Sequence, residues 1–187
     1  MVSKPGLHRV MSDWEYLEKA HKGDEEAWKE LIRRYNSTLV RMVCLITGSM
    51  AVARELTQET FVRLLNCNLK HHEGSLKSYL TTIAYRLALK EKQKIKSMQN
   101  LVEFDYADDS PGALEGVILE ERNRILLQVI DSLGEDHRDI LVLRFYGGNS
   151  YKEIAGILKL PEGTVKSRIF YAVKECQRLL TEKGMMK

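Results

Sequence analysis

Cysteine is scarce in this sequence, and long apolar runs are absent. The three cysteines, Cys44, Cys67 and Cys176, lie far apart and form no CxxC pair. This odd count favours a reducing compartment over a disulfide framework. No apolar run approaches the roughly 20 residues of a membrane-spanning helix, and residues 1–10 lack the apolar core of a signal peptide. We therefore expect a cytoplasmic protein without membrane insertion.

A strong excess of one charge is also missing. The formal net charge is +3, although 29% of the 187 residues are charged. With 44% hydrophobic residues the chain has enough apolar surface to fold, which excludes a largely disordered protein. The small net charge does not by itself indicate nucleic-acid binding, so the distribution of the charge must decide that question.

Apolar residues recur at helical spacing along the chain, and no convincing alternating strand is found. We expect a first helix after the cap Ser12 and a second after the cap Asp24. A separate third helix should end at Gly48. A fourth helix is expected over residues 50–66 and a fifth over residues 75–97. The sequence thus predicts an all-α protein whose first helices form one bundle.

The composition changes abruptly after the fifth helix. Residues 97–121 contain no lysine or arginine, and seven of them are acidic. With Pro111 and Gly112 at its centre, this stretch predicts a flexible acidic linker over residues 98–120. The linker should join two small helical domains, residues 12–97 and residues 121–183.

A helix-turn-helix pattern lies in the second domain. Residues 150–158 form the first helix, residues 159–161 the turn, and a second helix follows from Glu162. On the second helix one set of residues is spaced to pack inward: Val165, Ile169, Ala172 and Cys176. The opposite set should face outward: Lys166, Ser167, Phe170, Tyr171 and Lys174.

The outward face suits the major groove of DNA. Cations neutralise phosphates, and shorter polar or aromatic groups reach base edges. The first part of such a helix enters the groove most deeply, which favours Lys166 and Ser167 as base readers. The competing interpretation is a generic helical hairpin with a solvated basic face.

These segments resemble the fourth conserved region of extracytoplasmic-function (ECF) sigma factors of the sigma-70 family. The resemblance covers residues 141–147, 150–155 and 163–168. It implies that the domain binds the −35 promoter element and the flap of the polymerase β subunit. The implied DNA contacts, together with Lys174 from the outward face, are Arg144, Lys152, Thr164, Lys166, Ser167, Arg168, Phe170 and Tyr171. Tyr171 stands where a second arginine is common in the family.

The first domain carries a second resemblance. Residues 23–35 and 53–64 resemble the second conserved region of the same family. The resemblance implies that the second of these segments docks onto the clamp coiled coil of the polymerase β′ subunit. The implied contacts are Glu55, Gln58, Glu59 and Arg63. Without the resemblance, Glu55 and Glu59 would be read as an ordinary solvated helix face. Arg54 departs from the acidic residue often found at its position.

The fifth helix and the loop before it resemble the part of the family that opens and reads the −10 element. The helix is basic in its second half, which is typical of a phosphate-binding surface. The implied contacts are Asn68, Leu69, His71, His72, Tyr79, Arg86, Lys90 and Lys94. The family usually has tryptophan, asparagine and aspartate at Tyr79, Arg86 and Lys90. His71 and His72 fit an exposed loop without a special role equally well, whereas a metal site lacks a third ligand.

The resemblance covers residues 12–183 and implies a sigma-2-like bundle followed by a sigma-4-like helix-turn-helix domain. The implied partners are core RNA polymerase, promoter DNA and an anti-sigma factor, with no cofactor and no small-molecule substrate. A LuxR-like transcription activator is the main alternative, but it requires a receiver or ligand-binding domain upstream. An enzyme is the third class, although no phosphate-binding glycine loop, nucleophile motif or metal-ligand cluster is found.

Overall fold

The computed structural model describes residues 11–67, 74–99 and 121–184, and these residues contain no strand. The prediction of an all-α protein is confirmed. The helices are α1 (Asp13–His21), α2 (Glu25–Thr47), α3 (Met50–Asn66), α4 (Leu76–Gln99), α5 (Glu121–Ser132), α6 (Glu135–Leu141), a π-helical segment (Val142–Tyr146), α7 (Tyr151–Leu158) and α8 (Glu162–Glu182).

Helices α1 and α2 begin where the sequence places their caps. The Ser12 hydroxyl accepts a hydrogen bond from the Glu15 backbone N–H at 3.3 Å, and the Glu15 carboxylate accepts one from the Ser12 N–H at 2.7 Å. This reciprocal pair is a capping box, which satisfies two otherwise orphaned donors. Asp24 caps α2 by accepting from the Ala27 N–H at 3.0 Å.

The prediction of separate second and third helices is wrong, because α2 runs unbroken to Thr47. The polar residues 36–38 favour a break only weakly, since each such residue costs a few tenths of a kcal/mol in a helix. Leu31 and Leu39 are fully buried on either side of them and hold the helix in the core. The helix ends at Gly48, whose φ of 75° is left-handed and favours glycine.

The first domain is a bundle arranged around α2, which packs against α1, α3 and α4. Its core contains large side chains with less than 2% of their surface exposed: Leu31, Leu39, Met42, Val43, Ile46, Leu64, Leu76 and Leu80. Because these residues come from three helices, the core fixes the outward faces of α3 and α4 relative to each other.

The second domain is built around α8, against which α5, α6 and α7 pack. The π-helical segment ends in a tight turn, where the Asn149 side-chain amide donates to the Leu143 carbonyl at 3.0 Å. A Cβ at Gly147 would lie 2.5 Å from that amide nitrogen and 2.8 Å from the Leu143 oxygen. The turn therefore requires glycine at this position, and it sets the start of α7.

The two domains lie against each other, whereas the sequence predicted only that they are tethered. The π-helical segment packs on α2, and Tyr85 of α4 donates a hydrogen bond to Asp139 of α6 at 3.1 Å. Residues 98 and 99 of the predicted linker belong to α4. The rest of the predicted linker lies outside the described residues.

Replacing a core leucine of α4 is expected to destabilise the first domain strongly. Leu80 is 0% exposed, so Leu80→Ala should lower the free energy of unfolding by about 2–5 kcal/mol through lost burial and a cavity. Val62→Ala on α3 is the control, because Val62 is 45% exposed and should change stability by less than about 0.5 kcal/mol. Urea denaturation measures both. Equal costs for the two variants would contradict this assignment of the core.

Candidate nucleic-acid and protein interfaces

The helix-turn-helix of the second domain has well-defined ends. Ser150 and Glu153 form a capping box at the start of α7, with hydrogen bonds of 3.2 and 2.8 Å. At its end Lys159 adopts left-handed φ and ψ angles of 55° and 45°, and the Leu160 N–H donates to the Ala155 carbonyl at 3.0 Å. This closed turn sets the angle at which α8 leaves α7.

Helix α8 separates its apolar and polar faces as the sequence predicts. Val165, Ile169 and Ala172 are buried, and Cys176 is half-buried. All five residues predicted to face outward are exposed: Lys166, Ser167, Phe170, Tyr171 and Lys174. An outward face with two large aromatic side chains is costly in water, and it is typical of a binding surface.

The two exposed aromatic residues lie side by side. Phe170 is 64% exposed and Tyr171 is 59% exposed, and their rings meet edge to face with centroids 5.5 Å apart. Lys166 is held loosely by an ion pair with Glu162 at 3.0 Å, in which both side chains are about half exposed. Such a surface pair contributes little to stability, so Lys166 is available for another partner.

Sequence reasoning missed one exposed aromatic residue beside this face. Phe145 is 64% exposed and lines an open groove of about 710 Å³ together with Tyr151, Ile169, Phe170 and Val173. Lys166 and Lys174 also line the groove. The sequence did contain a signal for this surface residue. Phe145 directly follows Arg144, a predicted DNA contact, inside the segment that carries the family resemblance.

Both arginines among the predicted −35 contacts have partners within the domain. Arg144 donates from Nη1 to the Asn149 carbonyl at 2.8 Å, and its guanidinium lies 5.0 Å from the centroid of the Tyr151 ring. Arg168 forms an ion pair of 3.1 Å with Asp136 of α6. These contacts hold the Arg144 guanidinium at the turn before α7 and the Arg168 guanidinium at the first turn of α6.

The remaining two predicted contacts flank the same surface. Lys152 is exposed on α7, and Thr164 is half-buried in the first turn of α8. The Thr164 carbonyl accepts a hydrogen bond from the Ser167 hydroxyl at 3.0 Å. The nine residues predicted for the −35 element therefore come from the π-helical segment, α7 and α8, and six of them are exposed: Lys152, Lys166, Ser167, Phe170, Tyr171 and Lys174.

Helix α4 of the first domain carries a basic stripe. Arg86, Lys90 and Lys94 are exposed at i, i+4 and i+8 spacing, which places them on one helix face. Lys94 lies 3.6 Å from Glu91, a weak surface contact. Tyr79 is half-buried near the start of α4, and burial raises the pKa of its hydroxyl. Asn68, Leu69, His71 and His72 lie outside the described residues.

Helix α3 presents the ridge predicted to contact polymerase. Glu55 and Gln58 are exposed, and Glu59 pairs with Arg63 at 2.8 Å. The same face continues with Val62, which is 45% exposed. We call Glu55, Gln58, Glu59, Val62 and Arg63 the α3 ridge. Sequence reasoning missed Val62 as a surface residue, although its i+7 spacing from Glu55 places it there.

The described residues contain no group of three side chains suited to hold a metal ion. Among these same residues, no helix is both long enough and apolar enough to cross a membrane.

Two family models match this chain in the order of its domains. Residues 31–97 match Sigma-70 region 2, and residues 129–178 match Sigma-70, region 4. The first match contains α3 and most of α4, and the second contains the helix-turn-helix. A match to region 2 is not expected of a LuxR-like activator, and no comparison supports that alternative.

Related curated proteins are named as ECF RNA polymerase sigma factors. The ECF RNA polymerase sigma-E factor of Escherichia coli K12 is 32% identical over 181 residues, covering 89% of this chain and 93% of the relative. The Salmonella typhimurium LT2 protein of that name has the same identity and coverage. The ECF RNA polymerase sigma factor BldN of Streptomyces coelicolor is 28% identical over 173 residues, covering 90% of this chain and 66% of BldN.

Two solved structures share the fold. CnrH, in complex with the cytosolic domain of CnrY, superposes with a TM-score of 0.65 at 16% identity, over 91% of this chain and 97% of CnrH. The sigma factor RpoE in complex with the anti-sigma factor NepR from Bartonella quintana superposes with a TM-score of 0.61 at 20% identity, over 82% and 96% of the two chains. With both sigma regions matched in order, this chain belongs to the extracytoplasmic-function sigma factors of the sigma-70 family, which direct core RNA polymerase to promoters.

Proposed function

We propose a division of labour between the two domains of this sigma factor. Residues 12–97 bind core polymerase through the α3 ridge and read and open the −10 element through α4. Residues 121–183 read the −35 element through α8. The observation that carries the proposal is the outward face of α8, where cations, a hydroxyl and exposed aromatic rings lie together within the region-4 match.

The −35 element is assigned to the helix-turn-helix because, among the described residues, α8 presents an exposed face that mixes polar and aromatic side chains. Lys166 and Ser167 lie in the first turns of α8 and are exposed, where a recognition helix meets base edges. Arg144, Lys152, Thr164, Arg168 and Lys174 surround them and fit phosphate oxygens, which position a protein without reading sequence.

The −10 element is assigned to α4 because three cations project from one face of it, Arg86, Lys90 and Lys94. A row of cations follows a phosphate backbone well. The rings and amides of Tyr79, Asn68, His71 and His72 would hold an unstacked base, since such bases are bound by stacking and edge hydrogen bonds.

The α3 ridge is assigned to core polymerase on charge and shape. Carboxylates at Glu55 and Glu59 flank the Gln58 amide, and Val62 adds an apolar contact. An arginine-rich helix, such as one helix of a coiled coil, is complementary to this surface. In this proposal the α3 ridge binds the β′ clamp coiled coil, and the second domain binds the β flap.

The free chain is expected to bind duplex DNA weakly and to gain promoter specificity only with core polymerase. Its net charge is +3, and its exposed cations are divided between two domains. Dissociation constants of about 10⁻⁴–10⁻⁶ M, the usual non-specific range at physiological salt, should be seen in fluorescence anisotropy. Transcription in vitro from a genomic library with added core polymerase should yield a defined promoter set. Tight, sequence-specific binding by the free chain would contradict the proposal.

We further propose that the chain acts in the cytoplasm, is not an enzyme, and is held inactive by an anti-sigma factor. The last point draws on the related fold of RpoE, which was solved with the anti-sigma factor NepR. Co-purification of the tagged chain from its own cells tests for that partner. Hydrolysis of nucleotides or DNA by the purified chain would overturn the non-enzymatic assignment.

A further inference from the structure

Helix α1 contacts the backbone on both sides of the loop between α3 and α4. The Trp14 indole donates a hydrogen bond from Nε1 to the Gly74 carbonyl at 3.1 Å. The His21 Nε2 atom lies 3.2 Å from the Leu64 carbonyl oxygen, and because a carbonyl only accepts, the imidazole is the donor. Leu64 lies in the last turn of α3, and Gly74 comes two residues before α4. One short helix therefore contacts the chain where it leaves α3 and where it enters α4.

The two donors share one face of α1. Trp14 and His21 are seven residues apart, which is two turns and about 10 Å along the helix axis. Leu17 lies between them on the same face and is 2% exposed. This face of α1 is therefore turned into the domain, with a buried leucine at its centre and a hydrogen bond at each end.

Helix α1 is in turn held on α2 by a polar network. The Asp13 carboxylate accepts from Arg34 Nη1 at 2.7 Å and from the Tyr35 hydroxyl. Arg34 also donates from Nε to Glu30 at 2.7 Å, and its guanidinium lies 4.5 Å from the centroid of the Tyr16 ring. Charge-assisted hydrogen bonds that share one guanidinium fix geometry well. The network therefore keeps α1 from sliding along α2 and fixes the position of its two donors.

The α1 contacts add precision to the packing of α3 on α4. These two helices contact each other directly, but helix packing tolerates changes in crossing angle of roughly 15–20°. A hydrogen bond is more demanding in distance and direction. The Leu64 carbonyl also accepts from the Cys67 N–H at 3.3 Å and from the Cys67 thiol at 2.8 Å. His21 therefore holds the same oxygen at which α3 ends.

The chain between the two carbonyls carries four residues that the proposed function assigns to the −10 element: Asn68, Leu69, His71 and His72. A loop loses conformational freedom when its ends are fixed. A binding segment that is ordered beforehand binds more tightly, because less entropy is lost on binding. Contacts at the two ends can therefore act on recognition of a base without touching DNA.

We propose that Trp14 and His21 are positioning residues for recognition of the −10 element, and we call this pair the α1 brace. The inference rests on the proposed division of labour between the domains. Loss of the brace should reduce discrimination of the −10 element. Assembly with core polymerase and discrimination of the −35 element should be retained, because the α3 ridge and the outward face of α8 do not include either residue.

Trp14→Phe tests the first contact, because phenylalanine keeps an aromatic ring and lacks the indole N–H. Transcription in vitro by the full chain with core polymerase, from paired templates with native and scrambled −10 elements, gives the −10 ratio. Loss of one hydrogen bond should lower this ratio roughly five-fold. Trp28→Phe is the matched control. Trp28 packs edge to face on Phe61 in the same domain, with ring centroids 6.0 Å apart, and its replacement should keep the parent ratio.

His21→Leu removes the second donor and should also lower the −10 ratio roughly five-fold. Combined with Trp14→Phe it should lower the ratio roughly 25-fold, because effects at well-separated sites add as free energies. His21→Gln is the conservative variant, since the glutamine amide places an N–H close to the position of the imidazole Nε2. It should restore most of the parent ratio, which a role in filling space would not explain.

The −35 ratio and urea denaturation separate positioning from a general loosening of the fold. Every variant should keep the parent −35 ratio, and Trp28→Phe should lose stability without losing the −10 ratio. The brace is overturned by a parent −10 ratio in either Trp14→Phe or His21→Leu, by an equal fall in Trp28→Phe, or by no rescue in His21→Gln. A wild-type chain that does not distinguish native from scrambled −10 elements would instead overturn the proposed function of the first domain, and the brace with it.

Discussion

Glu55→Lys combined with Glu59→Lys is expected to abolish assembly with core RNA polymerase. The α3 ridge then loses both carboxylates and presents two ammonium groups to a partner surface that is complementary to acidic side chains. Close charge pairs across an interface couple by about 1.5–7 kcal/mol, so loss of two pairs and the new repulsion should weaken binding by at least about 100-fold. Competition with an unmodified sigma factor for core polymerase measures the effect.

The fold should survive this double reversal. Glu55 and Glu59 lie off the buried face of α3, which is formed by residues such as Leu56, Phe61 and Leu64. The lost Glu59–Arg63 pair and the new repulsion along the helix each cost only a few tenths of a kcal/mol. Circular dichroism and thermal melting check this point.

A matched control is available on the other helices of the same domain. Glu18→Lys with Glu26→Lys makes the same charge change at two exposed positions of α1 and α2, and it should leave assembly intact. If the folded Glu55→Lys, Glu59→Lys chain competes as well as the parent, the contact with polymerase does not involve these carboxylates.

Local features of the fold could be predicted because they depend on residues close together in the sequence. The caps at Ser12 and Asp24 need only a side chain three residues from its backbone partner. The two faces of α8 follow from its 3.6-residue period. The unbroken course of α2 could not be predicted, because burial of Leu31 and Leu39 outweighs the weak local preference of residues 36–38.

The π-helical segment explains why Phe145 was missed. In a regular helix Phe145 would lie four residues after buried Leu141 and on the same face. Here the Gly147 N–H bonds to the Val142 carbonyl, five residues back, at 2.9 Å. The wider turn shifts the following side chains around the axis. Leu143 is therefore buried and Phe145 is exposed, an arrangement that regular periodicity does not predict.

Contacts between the domains could not be predicted from the sequence either. Tyr85 and Asp139 are 54 residues apart, and each has an ordinary local explanation as part of an amphipathic helix. Their pairing depends on how two bundles dock, which in turn depends on the whole of both surfaces. The linker composition indicated that the domains are separate, and it carried no information on whether they touch.

Lys166→Ala combined with Ser167→Ala is expected to remove discrimination of the −35 element while leaving assembly with core polymerase intact. Each good base contact discriminates by about 1–3 kcal/mol, so two lost contacts should reduce the preference for a native over a scrambled −35 element by roughly 30-fold or more. Both side chains are exposed, and the Lys166–Glu162 pair is a surface contact, so stability should change little.

Transcription in vitro from paired templates with native and scrambled −35 elements measures this ratio. Gln177→Ala with Thr181→Ala is the control, since both are exposed polar side chains on the same helix, about three to four turns further along, beyond the reach of the part that enters the groove first. The control should keep the parent ratio. The double variant of Lys166 and Ser167 should initiate equally from both templates, because its remaining cations still bind phosphate without reading sequence. If it instead keeps the promoter preference and loses affinity for core polymerase, the outward face of α8 binds protein and not DNA.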